Sequence, residues 1–153
     1  MKVIILRGLP GVGKTTCYNN IFGDLFICSA DMFSGYYNDS RQYIWAPEVC
    51  DAAHKWCQQN FVKALVRGYE TIVVDNTNLK RKAWGFYHHL ATLMNYKVCF
   101  IEFIAEHHQL EALAARNRHN VSLNSLKQML AAWEPLPKEI AERCDVEQRE
   151  VIT

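Results

Sequence analysis

The stretch Gly8-Leu-Pro-Gly-Val-Gly13-Lys14-Thr15 constrains this chain more than any other. It follows a short apolar run, Val3-Ile-Ile-Leu6, and leads into a segment that reads as a helix from Lys14 to about Phe22. The spacing is G-x-x-x-x-G-K-[ST], and the strand–loop–helix order around it gives that spacing its meaning as a phosphate-binding loop. Glycines let the backbone turn its N–H groups inward, and the amino end of the expected helix adds partial positive charge. Gly8, Pro10, Gly11, Val12, Gly13, Lys14, Thr15 and Thr16 are the expected nucleotide contacts. Lys14 is expected to reach the β- and γ-phosphates, and the Thr15 hydroxyl to bind Mg²⁺.

A strand that delivers such a loop belongs in a parallel sheet covered on both faces. The apolar fraction of 50% suits that arrangement. A chain of 153 residues is read as one domain, 1–153, whose core buries about 70% of the unfolded surface. The net charge of +1 provides no bulk basic field, so charge alone does not support sequence-blind nucleic-acid binding; a local basic groove stays open. Cys17, Cys28, Cys50, Cys57, Cys99 and Cys144 form no C-x-x-C pair and no metal-ligand spacing. They are expected to be small core residues of a reduced, cytoplasmic protein. The first strand starts at residue 2, which leaves no room for a signal peptide, and no apolar run approaches a membrane span. His88-His89 and His107-His108 are neighbours on expected helices and point about 100° apart, which does not suit chelation.

Along the chain, the pattern reads as strand 2–7, helix 14–22, strand Leu25–Cys28, and a polar, aromatic stretch from Asp31 to Pro47. A helix over Pro47–Val66 follows, with Val49, Ala53, Cys57, Phe61, Ala64 and Leu65 on its apolar face, Pro47 in its first turn and Gly68 as its stop. Then come strand Thr71–Asp75, a helix over 80–94 with Trp84, Tyr87, Leu90, Ala91 and Met94 on one face, and a strand over 97–104. A helix over 107–116, a basic turn at Arg116–Asn120, a helix over Ser122–Trp133 capped by Ser122, and a short helix over Pro137–Cys144 complete the pattern; the last residues fit no element clearly. Alternating strands and helices predict a three-layer α/β fold with a central parallel sheet. Ligands of such sheets bind beyond the carboxyl ends of the strands.

That rule names candidates. Asp31, after the second strand, is either a base that takes a proton from an attacking hydroxyl or a turn cap. Asp75, closing the third, is a Mg²⁺ ligand or a helix cap, and Asn76, Thr77 and Asn78 contact substrate or fix a turn. Arg116 and Arg118 sit in a turn, about 116–121, that suits a lid bringing cations to a transferring phosphoryl group. Segment 32–46 reads as a substrate flap. Its aromatic residues and Arg41 suit stacking on a base and holding a phosphate, with Tyr37 and Arg41 as named contacts, or else simply pack the flap down.

Gly8–Thr16, Ser29-Ala-Asp31, Ala53-His54, Val74-Asp-Asn-Thr-Asn78 and Ala115-Arg-Asn-Arg-His-Asn-Val-Ser122 together resemble the polynucleotide-kinase-type P-loop kinases, including kinase domains of the NEDD4-binding protein 2 type. The resemblance spans nearly the whole chain. It implies ATP-dependent transfer of the γ-phosphate to a hydroxyl of a nucleic acid or nucleotide, with Asp31 as general base, Lys14 and Thr15 on the nucleotide, and Arg116 and Arg118 in the lid. The chain departs from polynucleotide kinases proper. Ser34 stands near the position of their arginine after the aspartate, the nearest arginine is Arg41, and Asn120 stands where their lid carries a further arginine. A similar group of viral kinases phosphorylates hydroxymethyl groups on pyrimidines within DNA, and that acceptor is the alternative, with a virus-encoded origin as its corollary. From another class, an ATP-switched binding module would need no acceptor.

Overall fold

β1 (Lys2–Arg7), β2 (Leu25–Cys28), β3 (Thr71–Asp75), β4 (Lys97–Ile104) and β5 (Asp145–Glu150) form one sheet in the order β2-β3-β1-β4-β5, every pair parallel. The structure is a computed structural model and describes residues 1–21 and 23–153. β1 lies at the centre because its run from Val3 to Leu6 has no polar side chain to keep wet, and all four residues are buried. Its register pairs Leu6 with Asp75 and Arg7 with Glu102. The carboxyl ends of β1, β3 and β4 therefore finish side by side.

α1 (Cys50–Arg67) and α2 (Arg81–Leu93) cover one face of the sheet. Ala53, Cys57 and Phe61 meet Ile72, Val74, Trp84, Tyr87 and Ala91 there. α3 (Leu110–Arg116) and α4 (Leu123–Ala131) cover the other face, where Leu110, Leu113 and Leu126 meet Leu6, Val73 and Phe103. This is the expected three-layer α/β fold. Phe61 is wholly buried, so truncating it to alanine costs about 3–5 kcal/mol. The anticipated punctuation is present. Pro47 opens a 3-10 turn before α1, Gly68 ends α1 in the left-handed region at φ 74°, and Ser122 Oγ accepts from Ser125 N at 3.2 Å.

Several expectations are corrected. The helix expected over 14–22 is only a 3-10 turn, Thr15–Tyr18, and Phe22 lies outside the described residues. The run Thr-Thr-Cys-Tyr-Asn-Asn lacks strong helix formers, and the β-branched threonines resist a regular first turn. The loop's own N–H groups and Lys14 are therefore not backed by the dipole of a regular helix. Met94, expected on the core face, is 44% exposed and caps the end of α2. The helix expected over Pro137–Cys144 is shorter, α5 (Lys138–Ala141). β5 had no sequence signal because Asp145, Glu147, Arg149 and Glu150 make it a charged edge strand, a composition that blunts pairing with other chains. Of the cysteines, Cys28 and Cys57 are buried and the other four half-buried. No helix among the described residues is long and apolar enough to cross a membrane.

A buried ion pair locks the strand ends together. Arg7 has no exposed surface, and its guanidinium pairs with the Glu102 carboxylate. It also donates to Asn78 O at 2.9 Å, to Leu79 O at 3.0 Å and to Glu134 O, with Trp133 stacked 4.3 Å below. One side chain thereby ties β1, the turn after β3 and the segment after α4. The satisfied fork geometry is what makes a buried arginine tolerable.

Candidate active site

The phosphate loop leaves β1 through Gly8, whose N–H donates to Thr77 O at 3.0 Å. A Cβ on Gly8 would stand 2.9 Å from Phe103 Cβ and from Val12 Cγ2, so only glycine fits this close approach. Gly13 has φ +99° with nothing within 4 Å of an added Cβ. There the requirement is backbone conformation, and the loop leaves open space above it. Lys14 Nζ donates to Gly8 O at 2.9 Å and Leu9 O at 2.8 Å, which arches its ammonium over the loop. Burial lowers the Lys14 pKa to about 8, against the pull of Asp75 and Asp31. A half-buried ammonium lining the cleft gains from a phosphate brought beside it.

Pro10, Gly11, Val12, Gly13, Lys14, Thr15 and Thr16 all line one cleft of about 1010 Å³, and Gly8 underlies it. Asp75 closes its floor. Its Oδ2 accepts from Thr15 Oγ1 at 3.0 Å and from Tyr18 Oη at 2.7 Å, so it caps no helix. A hydroxyl and a carboxylate at this separation form a hard-oxygen pair that fits Mg²⁺, which usually takes one or two protein oxygens together with phosphates and waters. Asn76 and Thr77 also line the cleft. The Asn76 side chain mainly braces it, accepting from Ala30 N at 2.9 Å and reaching Cys57 Sγ at 3.6 Å. Asn78 does not belong to it. It is 1% exposed, holds φ +47°, and its amide donates to Leu6 O at 2.7 Å, so its role is to shape the turn.

Asp31 lines the same cleft from the 3-10 turn Ala30–Met32. Its side chain caps no backbone. Oδ1 accepts from Tyr43 Oη at 3.2 Å, and Oδ2 lies 3.3 Å from His119 Nε2. Burial pushes the carboxyl up, but His119, then Tyr43 and Lys14, outweigh it and hold Asp31 below its usual range. The group is thus kept ionised and half-exposed beside the cleft.

The lid turn does bring Arg116 and Arg118 to the cleft. Arg116 Nε donates to Gly11 O at 2.7 Å and its Nη1 to Ile152 O. No hydrogen bond holds the exposed Arg118 among the described residues. The turn is shaped by Asn117, whose buried amide donates to Leu113 O, Ala114 O and Val121 O while its carbonyl oxygen accepts from Val121 N.

The flap packs on itself and on α1. Tyr36 is 2% exposed and stacks on Trp45 at 5.5 Å, and Phe33 meets Trp56 at 5.8 Å. Tyr37 Oη donates to Asp31 O at 3.0 Å, so Tyr37 braces the backbone of Asp31 and does not line the cleft. Arg41 sits at the flap's tip with φ +59°, also outside the cleft lining, as is the exposed His54. The expected substrate contacts at Tyr37 and Arg41 are therefore not supported by this geometry.

Sequence reasoning missed His119 and Tyr43 as partners of Asp31, although His119 lay in the quoted lid run and Tyr43 in the aromatic flap. It also missed Phe103, Arg149, Glu150 and Ile152, which line the cleft as well. These stand on β4 and around the end of β5, and β5 itself carried no sequence signal.

A family model described as an AAA domain matches residues 3–136. NEDD4-binding protein 2 of Homo sapiens is 31% identical over 138 residues, which is 88% of this chain and 8% of that protein. Among solved structures, a protein of Chloroflexus aurantiacus J-10-fl, described provisionally as a kinase, superposes with a TM-score of 0.65 at 20% identity, covering 97% of this chain and 87% of its own. Kti12 of Chaetomium thermophilum, in complex with ADP-AlF3, superposes with a TM-score of 0.58 at 13% identity, covering 97% and 88%. These two likenesses carry the fold. This chain belongs to the AAA domain family and is a P-loop kinase-like domain related to NEDD4-binding protein 2.

Proposed function

We propose that this protein is an ATP-dependent phosphotransferase that moves the γ-phosphate to an alcohol of a nucleic acid or nucleotide. The observation that carries the reading is that Asp31, an ionised carboxylate, lines the same cleft as Lys14 and the hydrogen-bonded Thr15–Asp75 pair. Loop N–H groups and Lys14 hold the β- and γ-phosphates. Mg²⁺, held by Thr15 and Asp75, would neutralise charge on the same phosphates. Asp31 accepts the acceptor's proton as its oxygen bonds to the γ-phosphorus, and the bond to the β-phosphate oxygen breaks, releasing ADP. Arg116 and Arg118 lie where lid cations can stabilise charge on the transferring group. Phe103, Arg149 and Ile152, which also line the cleft, are the candidates to contact the donor's base. A Kti12 neighbour captured with ADP-AlF3 lends support to nucleotide in such a cleft.

The primary reading for the acceptor is a 5′-hydroxyl of a polynucleotide. A second reading, a hydroxymethylpyrimidine within DNA, is favoured by a groove of about 390 Å³ beside Asp31. Phe26, Met32 and Trp56 line it with Ser29 and Asn60, and no charged side chain does. Ser29 and Met32 are shared with the main cleft. An uncharged ring suits that groove better than a phosphate. The test is transfer of labelled γ-phosphate from ATP·Mg²⁺ to two oligonucleotides, one with a free 5′-hydroxyl, the other 5′-blocked with internal 5-hydroxymethyluracil. Label on the first supports the end-kinase reading and label on the second the base-kinase reading. Label on neither, with nucleotide bound, turns the reading toward an ATP-switched module.

A further inference from the structure

The lid delivers more than arginines to this cleft. His119, between Arg118 and Asn120, turns its ring inward against the flap. The imidazole sits on the Tyr43 ring with centroids 4.1 Å apart, and Nε2 lies 3.3 Å from Asp31 Oδ2. Tyr43 Oη donates to the other oxygen, Oδ1, at 3.2 Å. His119 Nδ1 is buried and has no partner among the described residues. A proton on Nδ1 would be an unsatisfied buried donor, so the geometry favours the tautomer with its proton on Nε2, aimed at Asp31.

We propose that His119 is a positioning residue for the base: with Tyr43 it grips the Asp31 carboxylate from lid and flap, fixes its orientation and keeps it ready to accept the acceptor's proton. The proposal rests on the kinase reading above and extends it. Each carboxylate oxygen spends one acceptor site on a protein donor and retains another for the incoming hydroxyl. In the transfer step the acceptor's proton passes to Asp31, its oxygen bonds to the γ-phosphorus, and the bond to ADP breaks. His119 and Tyr43 exchange no atoms. His119 comes from the turn over 116–121 and Tyr43 from the flap, so the grip on Asp31 joins two segments distant in sequence.

The groups that face Asp31 are Lys14 from the phosphate loop, His119 from the lid, Tyr43 and Tyr36 from the flap, and Cys57 from α1. Burial pushes the Asp31 carboxyl up, and His119 is the chief influence holding it down, ahead of Tyr43 and Lys14. Removing His119 therefore moves the Asp31 titration to higher pH, and removing the Tyr43 hydroxyl moves it less. Because the base works ionised, the acid limb of the rate profile moves the same way.

The experiment reads both the carboxyl and the rate. The ¹³C resonance of the Asp31 carboxyl, assigned by its loss in Asp31→Asn, is titrated in the wild type, His119→Ala, His119→Asn and Tyr43→Phe. Transfer from ATP is followed in parallel with whichever oligonucleotide takes label. The expected result is an upward shift of the midpoint in His119→Ala, a smaller one in Tyr43→Phe, and a kcat loss on the order of ten- to a hundredfold in His119→Ala, the scale of one hydrogen bond to a charged group. KM for ATP should not move. His119→Asn, which keeps a donor, should recover part of both effects and stands in if the alanine variant does not fold. An unchanged midpoint in the histidine variants overturns the proposal. So does an unchanged kcat when Asp31→Asn is inactive, and that result leaves the kinase reading standing. Full transfer by Asp31→Asn instead removes the base reading itself.

Discussion

The two sides of the cleft are built differently. The proposed donor side is a continuous piece of chain: Gly8 to Thr16 leaves the buried central strand, and Asp75 stands beside it because β1 and β3 are paired in register. The proposed acceptor side is a convergence. Asp31 comes from the turn after β2, Tyr43 from the flap, and His119 from a lid held by Asn117. A continuous loop is fixed by its own backbone and by the sheet beneath it. A convergent site is fixed only when separately folded segments arrive together. Damage on the donor side should therefore remove binding and chemistry together, whereas damage on the acceptor side should remove chemistry and spare nucleotide binding.

The largest expected effect is on the donor side. Lys14→Ala removes the ammonium arched over the loop, and transfer should fall at least about 10³-fold. Nucleotide affinity should weaken with it, because the same group holds phosphate in the ground state. Isothermal titration calorimetry with ATP·Mg²⁺ and a single-turnover transfer assay check the two halves of this statement. Near-normal turnover would remove the loop from the mechanism. On the acceptor side, Asp31→Asn should leave ATP affinity intact and cost about 10²–10⁴-fold in transfer, the usual worth of a positioned base. If the same titration showed ATP affinity falling in step with rate, the contrast between the two sides would collapse.

Legibility follows the same division. The place of the loop after β1 could be read because its pattern lies in consecutive residues, and the placement of Asp31 and Asp75 at the same cleft because strand ends converge in any parallel sheet. Asn78 misled because an amide after a strand looks the same in sequence whether it faces ligand or, as here, donates to the buried Leu6 carbonyl. Arg41 misled for a related reason. Charge near a base candidate suggests a contact, but the turn from Asn38 to Gln42 carries Arg41 to the flap's tip. Tyr43 and His119 were in view as residues but not as partners, since nothing in spacing says that positions 43 and 119 meet. Arg7 was absorbed into an apolar strand, and only the structure reveals its pairing with Glu102, far away in sequence.

Arg7 offers a way to sharpen the comparison, because it supports both sides without touching the cleft. Arg7→Met leaves Glu102 buried without its counter-ion and removes a donor from three backbone carbonyls, of which Leu79 O keeps Glu134 N. The expected loss is about 3–5 kcal/mol of unfolding free energy, read from urea denaturation. The double variant Arg7→Met, Glu102→Met should recover much of it, since a matched apolar pair avoids the stranded charge. If both variants unfold alike, the carbonyl contacts matter more than the ion pair.

The smallest expected effect separates the two lid arginines. Arg116 is already engaged, with donors on Gly11 O and Ile152 O, so it tethers the lid to the phosphate loop and the carboxyl-terminal residues. Arg118 is exposed at the cleft, and no hydrogen bond among the described residues restrains it. A cation that stabilises charge developing on the γ-phosphate must be able to move onto it, which favours Arg118. Arg118→Ala should therefore lower kcat by about 10²-fold with little change in KM for ATP. Arg116→Ala should act mainly on KM for ATP, about three- to tenfold, as expected for losing an exposed tether worth about 1 kcal/mol. Steady-state kinetics on the two variants decides between these roles. A kcat loss confined to Arg116→Ala would mean that the tether releases during turnover and that Arg116 is the mobile cation. The lid would then be an element that changes partners between the empty and loaded enzyme, with the Gly11 carbonyl as its resting place.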